Sequence, residues 1–315
     1  MKAVQIAGFG TPDVLHLSEI DRPEPEAGEV LIAVEASSVN GHDTLIRAGS
    51  LKMVSGRKFP IGLGLDFAGT VAATGPGVQA YRAGDRVWGL VHPRQKHLIA
   101  GAAEYVVVPA ERISLAPEGL SSVQAAALVV AGSTALIALR DSVRLEAGER
   151  ILIRGAAGGV GTAGVQLAHA LGGRVTALAR ERHADALRDL GADEVLDYTK
   201  TTSEQIGPFD VILDTVGTEL NCYRGRLDKG GRMVTVGLSG GAIAAIAASA
   251  VHGPRRIRAF SANPDSALLG AVAEYAASGA LRPVIDAVHP FAEIAAAHEA
   301  FERGGSLGKQ VITMV

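Results

Sequence analysis

Gly155, Ala156, Ala157, Gly158, Gly159, Val160 and Gly161 follow a short apolar run, Ile151-Leu152-Ile153. They lead into Val160, Ala163, Gly164, Leu167, Ala168 and Leu171, which recur at helical spacing. Glycine at a strand-to-helix junction permits a tight turn and lets backbone N–H groups approach a pyrophosphate, and the helix N-terminus favours the anion. Against the G-x-G-x-x-G pattern, Ala156 stands at the first position, and Gly158 and Gly161 fill the other two. A glycine loop alone would serve as a structural turn. Here the preceding strand, the following helix and a second apolar run, Val175–Ala179, point to dinucleotide binding. An NAD-specific site places a carboxylate at the end of that second strand. This one ends in Ala179, followed by Arg180, Glu181 and Arg182. A guanidinium matches phosphate bidentately, so the expected cofactor is NADPH, its 2′-phosphate on Arg180 and Arg182. The competing reading starts a solvated helix with these arginines, and Glu181 argues for it.

The elements around the loop alternate. Apolar runs at Glu194–Leu196, Val211–Leu213, Arg232–Val236 and Ile257–Phe260 continue the pattern, with a polar helix expected over Arg182–Leu190. Such alternation implies a parallel sheet with helices on both faces. Residues 1–110 differ. Glu29–Ser37 alternates with Val30, Ile32 and Val34 on one face, and Phe67–Thr74, Arg86–Val91 and Tyr105–Val108 follow, separated by Gly/Pro turns. Asn263-Pro264 and Gly279 are expected to bracket one more helix. The terminal run Gln310–Val315 is expected to return to the first sheet.

Composition limits the partners. The 315 residues carry 30 basic and 33 acidic side chains, a net charge of −3, with no basic run to grip nucleic acid. Glycine accounts for 39 residues and aromatics for only 4%, so backbones can approach closely. Gly119–Leu139 carries no charge, but its Ala- and Ser-rich make-up suits a helix buried between domains better than a membrane span. Cys222 is the single cysteine, which excludes an intrachain disulfide and any multi-cysteine zinc cluster. It is read as a small buried hydrophobe rather than a redox thiol. His92 and His97 lack an obvious third ligand. The start of the chain has no apolar leader run, and a cytoplasmic location is expected.

Several motifs together resemble the zinc-independent medium-chain dehydrogenase/reductases, and within them the quinone oxidoreductases of the zeta-crystallin type. They are Val39-Asn40-Gly41-His42-Asp43, Gly64-Leu65-Asp66-Phe67-Ala68-Gly69, Ala83-Gly84-Asp85-Arg86-Val87, the loop from Gly155 to Gly161, Leu190-Gly191-Ala192-Asp193, Asp197-Tyr198, Asp214-Thr215-Val216-Gly217 and Gly308-Lys309. The resemblance implies an α/β fold, a doubly wound Rossmann sheet (119–261) inserted in a GroES-like β-rich domain (1–118 and 262–315). Matched to the zinc-dependent relatives, the three catalytic ligand positions hold Asn40, Leu65 and Val130, so no catalytic metal is expected. Without a Lewis acid, the acceptors that suit hydride transfer are quinones and enones, whose product anions are delocalised. The resemblance puts Asn40 and His42 among the substrate-facing groups. His42 is either a donor to the developing oxyanion, since imidazole titrates near neutrality, or a wall residue. It also puts Asn40, Thr134, Gly217, Gly237 and Phe260 toward the nicotinamide, with core packing the alternative for Gly237 and Phe260. Tyr198 falls near the adenosine phosphate or is a packed aromatic. Lys309 is equally readable as a structural ion pair. Residues 45–62 and 239–255 are expected to shape the pocket mouth. Arg255–Ser261 is the expected edge strand, and the family's habit of pairing there implies a homodimer.

Overall fold

The computed structural model describes residues 1–52, 58–91, 100–237, 240–251, 256–260 and 262–314. They form two compact units. The first comprises Met1–Val130, Asn263–Ser278 and Pro283–Val315; the second comprises Ala131–Ala262 and Gly279–Arg282. The boundary between residues 130 and 131 falls inside a continuous helix.

In the first unit, β1 (Lys2–Ile6) pairs antiparallel with β2 (Leu15–Glu19). The strands β3 (Glu29–Ser38), β4 (Ile61–Gly62), β5 (Asp66–Thr74), β6 (Arg86–Leu90), β7 (Tyr105–Pro109) and β8 (Ile113–Leu115) follow. β4 adds to the small sheet. The others build a larger one with two strands from the end of the chain, β15 (Ile285–Pro290) and β16 (Lys309–Thr313), in the order β15-β16-β3-β5-β6-β8, with β7 on β3. The alternation read in the sequence fills its core: Val30, Ile32 and Val34 pack with Phe67, Val71, Val87, Val106, Val108 and Ile113. α1 (Gly41–Arg47) leaves directly from the end of β3.

The second unit takes over within α2 (Ser122–Leu136), which continues through a π-helical turn, Ile137–Ser142. This stretch is long and apolar enough to cross a membrane, but 72% of its most apolar window is buried inside the protein. Then come β9 (Arg150–Arg154), α3 (Gly159–Ala170), β10 (Arg174–Ala179), α4 (Ala184–Asp189), β11 (Glu194–Asp197), β12 (Phe209–Asp214), α5 (Leu220–Arg224), β13 (Leu227–Thr235), α6 (Gly240–Val251) and β14 (Ile257–Ala259). Every pairing among these strands is parallel, in the order β11-β10-β9-β12-β13-β14. That is the doubly wound Rossmann order, whose direction reverses between β9 and β12. The chain ends in the first unit with α7 (Ser266–Ala277), β15 (Ile285–Pro290), α8 (Ile294–Arg303) and β16 (Lys309–Thr313). β16 runs antiparallel to β3, Val311 opposite Ser38, which is the return expected of the terminal run.

Four local expectations need correction. The helix expected over 182–190 splits into a 3₁₀ turn, Glu181–His183, and the short α4. α7 begins two residues later than expected: Asp265 is its cap, accepting from the Leu268 N–H at 2.9 Å, and Pro264 precedes the helix. α3 is buried from Gly161 through Ala168 rather than on one face, because its small residues sit close to the sheet; a Cβ on Gly164 would lie 2.9 Å from Leu213 Cδ2. Cys222 is exposed, not buried: it lies on the outer side of the short α5, whose inward positions are Leu220 and Tyr223.

Candidate functional site

The loop after β9 gives its glycines three different reasons to be glycine. Gly155 has φ +73°, the left-handed region, and a Cβ there would meet Thr215 Oγ1 at 2.3 Å. Gly161 sits against the loop itself; its Cβ would lie 2.2 Å from the Gly155 carbonyl oxygen. Gly158 is the opposite case. It caps α3 in extended backbone and is exposed, and a Cβ would meet only the Gly155 carbonyl at 3.5 Å. Nothing within the chain demands glycine there, so the bare backbone leaves room for an approaching group. No side chain caps α3. Its first amides, at Gly159, Val160 and Gly161, have no intrahelical acceptor by construction and carry the positive end of the helix dipole. A pyrophosphate fits this cradle. Ala156 is buried beneath it, its N–H donating to Leu178 O at 3.3 Å.

At the tip of β10, Ala179 lies opposite Asp197 of β11. Arg180 Nε donates to the Tyr198 hydroxyl at 2.7 Å, and Tyr198 is 47% exposed. The packed-aromatic reading of Tyr198 therefore fails: it is a surface ring held by an arginine. Arg182 Nε donates to His183 Nε2 at 3.2 Å. Sequence reading missed Lys200, which forms an ion pair with Glu181 and brings a third cation to this corner. Gly217 and Gly237 follow neighbouring strands and nearly touch; a Cβ on Gly237 would lie 2.4 Å from Gly217 N. That close approach explains both glycines without a ligand. Thr134 is buried on α2, and Phe260 is half-buried just beyond β14.

In the first unit, the end of β3 and the start of α1 meet β5 and β16 in a buried polar cluster. The Asp66 carboxylate accepts from Ser38 N at 2.6 Å, Ser38 Oγ at 2.5 Å and Asn40 Nδ2 at 3.0 Å. Asn40 Nδ2 also donates to Ser38 O at 3.0 Å, and Asn40 N donates to Asp43 Oδ2 at 2.9 Å. Lys309 Nζ donates to Val39 O at 2.7 Å and to Asn40 Oδ1 at 2.6 Å. The Asn40 amide is thus engaged on both sides. Burial, with the Asp66 charge adding to it, pushes the Asp43 carboxyl up to about 7. Burial also raises Asp66 and lowers Lys309. With Asp43 protonated, one ammonium balances one carboxylate and the cluster is neutral. Asp43 and Asp66 were not singled out from sequence as site residues; two acids in otherwise apolar stretches were the available signal.

His42 stands between Asn40 and Asp43 of this cluster, in the first turn of α1. Burial lowers its pKa from the ordinary imidazole value, which favours the neutral ring. Its Nδ1 is buried and has no hydrogen-bond partner among the described residues.

The three positions matched to zinc ligands do not make a metal site. Asn40 is held by Lys309, which already supplies a positive charge there, and Leu65 and Val130 have no donor atoms. Among the described residues, no three of His, Cys, Asp and Glu come together to hold a metal. His92 and His97 lie outside the described residues, as do parts of the loops expected at the pocket mouth, 53–57 and 252–255 among them.

Two family descriptions match the chain: an alcohol dehydrogenase GroES-like domain over residues 26–118 and a zinc-binding dehydrogenase over residues 190–312. Pig quinone oxidoreductase is 33% identical, covering 100% of this chain and 98% of its own length. Tomato 2-methylene-furan-3-one reductase is 33% identical, covering 99% of this chain and 79% of its own. A mycocerosic acid synthase-like polyketide synthase of Mycobacterium tuberculosis is 37% identical over 74% of this chain, which spans only 11% of that protein. Among solved structures, a quinone oxidoreductase from Coxiella burnetii has a TM-score of 0.91 at 32% identity, covering 100% of this chain and 99% of that one. A mycobacterial protein solved with NADPH gives 0.86 at 26% identity, covering 99% and 100%. The CurK enoyl reductase gives 0.86 at 26% identity, covering 100% and 99%.

Proposed function

Because this chain belongs to the quinone oxidoreductase family of the medium-chain dehydrogenase/reductases, we propose that it is a zinc-independent, NADPH-dependent reductase of quinones and enones. At the coarser level it is an NAD(P)H-dependent oxidoreductase. The observation that carries the finer reading is the loop from Gly155 to Gly161. Gly155 and Gly161 are each required by a close approach within the chain, and Gly158, which has no such reason, caps a helix that lacks a side-chain cap. Arg180, its partner Tyr198 and the nearby Lys200 support the 2′-phosphate, and Ala179 removes the carboxylate that an NAD-specific site would use. Arg182 joins them by rotation of an exposed side chain. Thr134, Gly217, Gly237 and Phe260 are proposed to border the nicotinamide.

When bound, the cofactor supplies a hydride. The chain's own part is positioning and donation. The buried cluster fixes the turn from Asn40 into α1 and so fixes His42. The Nδ1 of His42 is one of the buried side-chain atoms without a hydrogen-bond partner among the described residues and is proposed to meet the acceptor oxygen. A neutral imidazole is a modest donor. It suffices for quinones and enones, whose anionic products are stabilised by aromaticity or conjugation. Asn40 is proposed to act through position, since its amide is already engaged. The protein is proposed to work in the cytoplasm as a homodimer on a small-molecule substrate.

A second reading, reduction of an enoyl thioester, draws on the match to the CurK enoyl reductase. NADPH oxidation across quinones, simple enones and enoyl thioesters separates the two. Turnover of quinones and enones above thioesters supports the proposal, and thioester turnover alone replaces it. Silence across the panel with NADPH still binding would leave a nucleotide-binding protein without this activity.

A further inference from the structure

We propose that Arg154 and Asp214 are positioning residues that lock the two glycine loops of the dinucleotide site against each other; the inference rests on the proposed cofactor role of those loops. Asp214 is fully buried at the end of β12, and Arg154 is buried at the end of β9. The two stand in register across the place where the strand order reverses, and Thr235 of β13 is in register with Asp214 on the other side. In sheets of this order, ligands bind just beyond the strand ends at that reversal.

The pair holds backbone at Val216, Gly217 and Thr218 and side chains at Thr218, Glu219 and Thr235. Asp214 Oδ1 accepts from the Gly217 N–H at 2.7 Å, the Val216 N–H at 3.2 Å and Thr235 Oγ1 at 3.0 Å. Asp214 Oδ2 accepts from Arg154 Nη1 at 2.8 Å. The same Nη1 donates to Thr218 O, while Nη2 donates to Thr218 Oγ1 at 3.0 Å and to Glu219 Oε2 at 3.2 Å. The guanidinium lies 4.1 Å from the Tyr223 ring centroid. Thr215, next to Asp214, ties back to the phosphate loop: its N–H donates to Arg154 O at 3.1 Å, and its Oγ1 to Arg154 O at 2.9 Å and Gly155 O at 3.3 Å.

The result is one connected lattice from the first residue of the phosphate loop to the turn from Val216 to Glu219. Both anchors are buried, and they act through the backbone they hold. A buried arginine in a strand otherwise read as Ile151-Leu152-Ile153 is more than packing requires. Removing its partner leaves an uncompensated buried charge, whereas a loop held by neutral groups would avoid that liability.

The test compares two ligands on the intact protein, at a temperature where circular dichroism shows each variant folded. NADPH spans both glycine loops; adenosine 2′-monophosphate reaches only the corner of Ala179 and Arg180. Arg154→Met is expected to weaken NADPH binding by about tenfold or more, measured by fluorescence titration, with the adenosine 2′-monophosphate affinity kept within about twofold. Arg154→Lys keeps the charge but loses the fork to Thr218 and is expected to fall between. It stands in if the methionine variant does not fold. Asp214→Asn, which retains one acceptor oxygen for Gly217, should show the same split. Unchanged NADPH affinity in the folded variants overturns the inference, and so does a parallel loss of both ligands. Unmodified protein that binds neither ligand would instead overturn the cofactor reading itself.

Discussion

Lys309, Asp66 and Asp43 show how a single buried side chain sets the terms for its neighbours. Lys309 is the one ammonium facing the two acids, and it also holds Asn40. Lys309→Met removes the compensating charge and should destabilise the fold by about 3–5 kcal/mol in urea titration. Asp43 behaves in the opposite sense. Its folded pKa, about 7, lies above its ordinary value of 3.8, so the folded state binds the proton more tightly than the unfolded chain. Its contribution is favourable at low pH, declines as pH rises from about 4 to about 7, and stays at its least favourable above that. Asp43→Asn, which still accepts from the Asn40 N–H, should therefore gain stability relative to the parent between pH 5 and pH 8. A constant difference across that range would contradict the assignment. His42→Gln should lower kcat more for an enone than for a quinone, with KM little changed, because the quinone's product needs less donation. If both rates stay within about twofold, His42 is a wall residue.

Among elements, the phosphate loop and α3 give the sharpest contrast. Gly158→Ala should fold normally, because its methyl meets only one atom at 3.5 Å, yet bind NADPH more weakly by about tenfold. Gly161→Ala should lower stability as well, since its Cβ would be 2.2 Å from a carbonyl oxygen and the loop must shift. Thermal denaturation beside NADPH titration separates the two effects; equal behaviour of both variants would contradict the different roles. This loop was legible in the sequence because its cause is local: glycines at a strand end impose the turn on their own neighbours. The apolar runs of β3, β5, β9, β10 and β12 were legible for the same reason. Arg154 with Asp214 and Lys309 with Asp66 were not, because those contacts exist only once distant strands fall into register. β15 was missed because Asp286, His289 and Pro290 break its apolar pattern, and α7's cap was misplaced because Asn263 and Asp265 both suit that role until Leu268 selects one.

For the whole molecule, the exposed edge strand and the absence of metal donors at the matched positions define what the protein should do in solution. β14 ends the six-stranded sheet, and among the described residues it pairs with β13 alone. An uncovered edge offers unpaired N–H and C=O groups, and two-fold pairing of this strand with its own copy should give a homodimer. Light scattering at micromolar concentration checks this; a stable monomer would contradict it. The central claim is that the chain transfers hydride from NADPH to a conjugated acceptor without metal. Its most direct test is the initial rate of NADPH and of NADH oxidation with a simple quinone, before and after exhaustive chelation. The account predicts an unchanged rate after chelation and at least about tenfold tighter NADPH than NADH, about 1.4 kcal/mol. Activity lost with a stoichiometric zinc and restored by it, or equal affinity for the two cofactors, would contradict it.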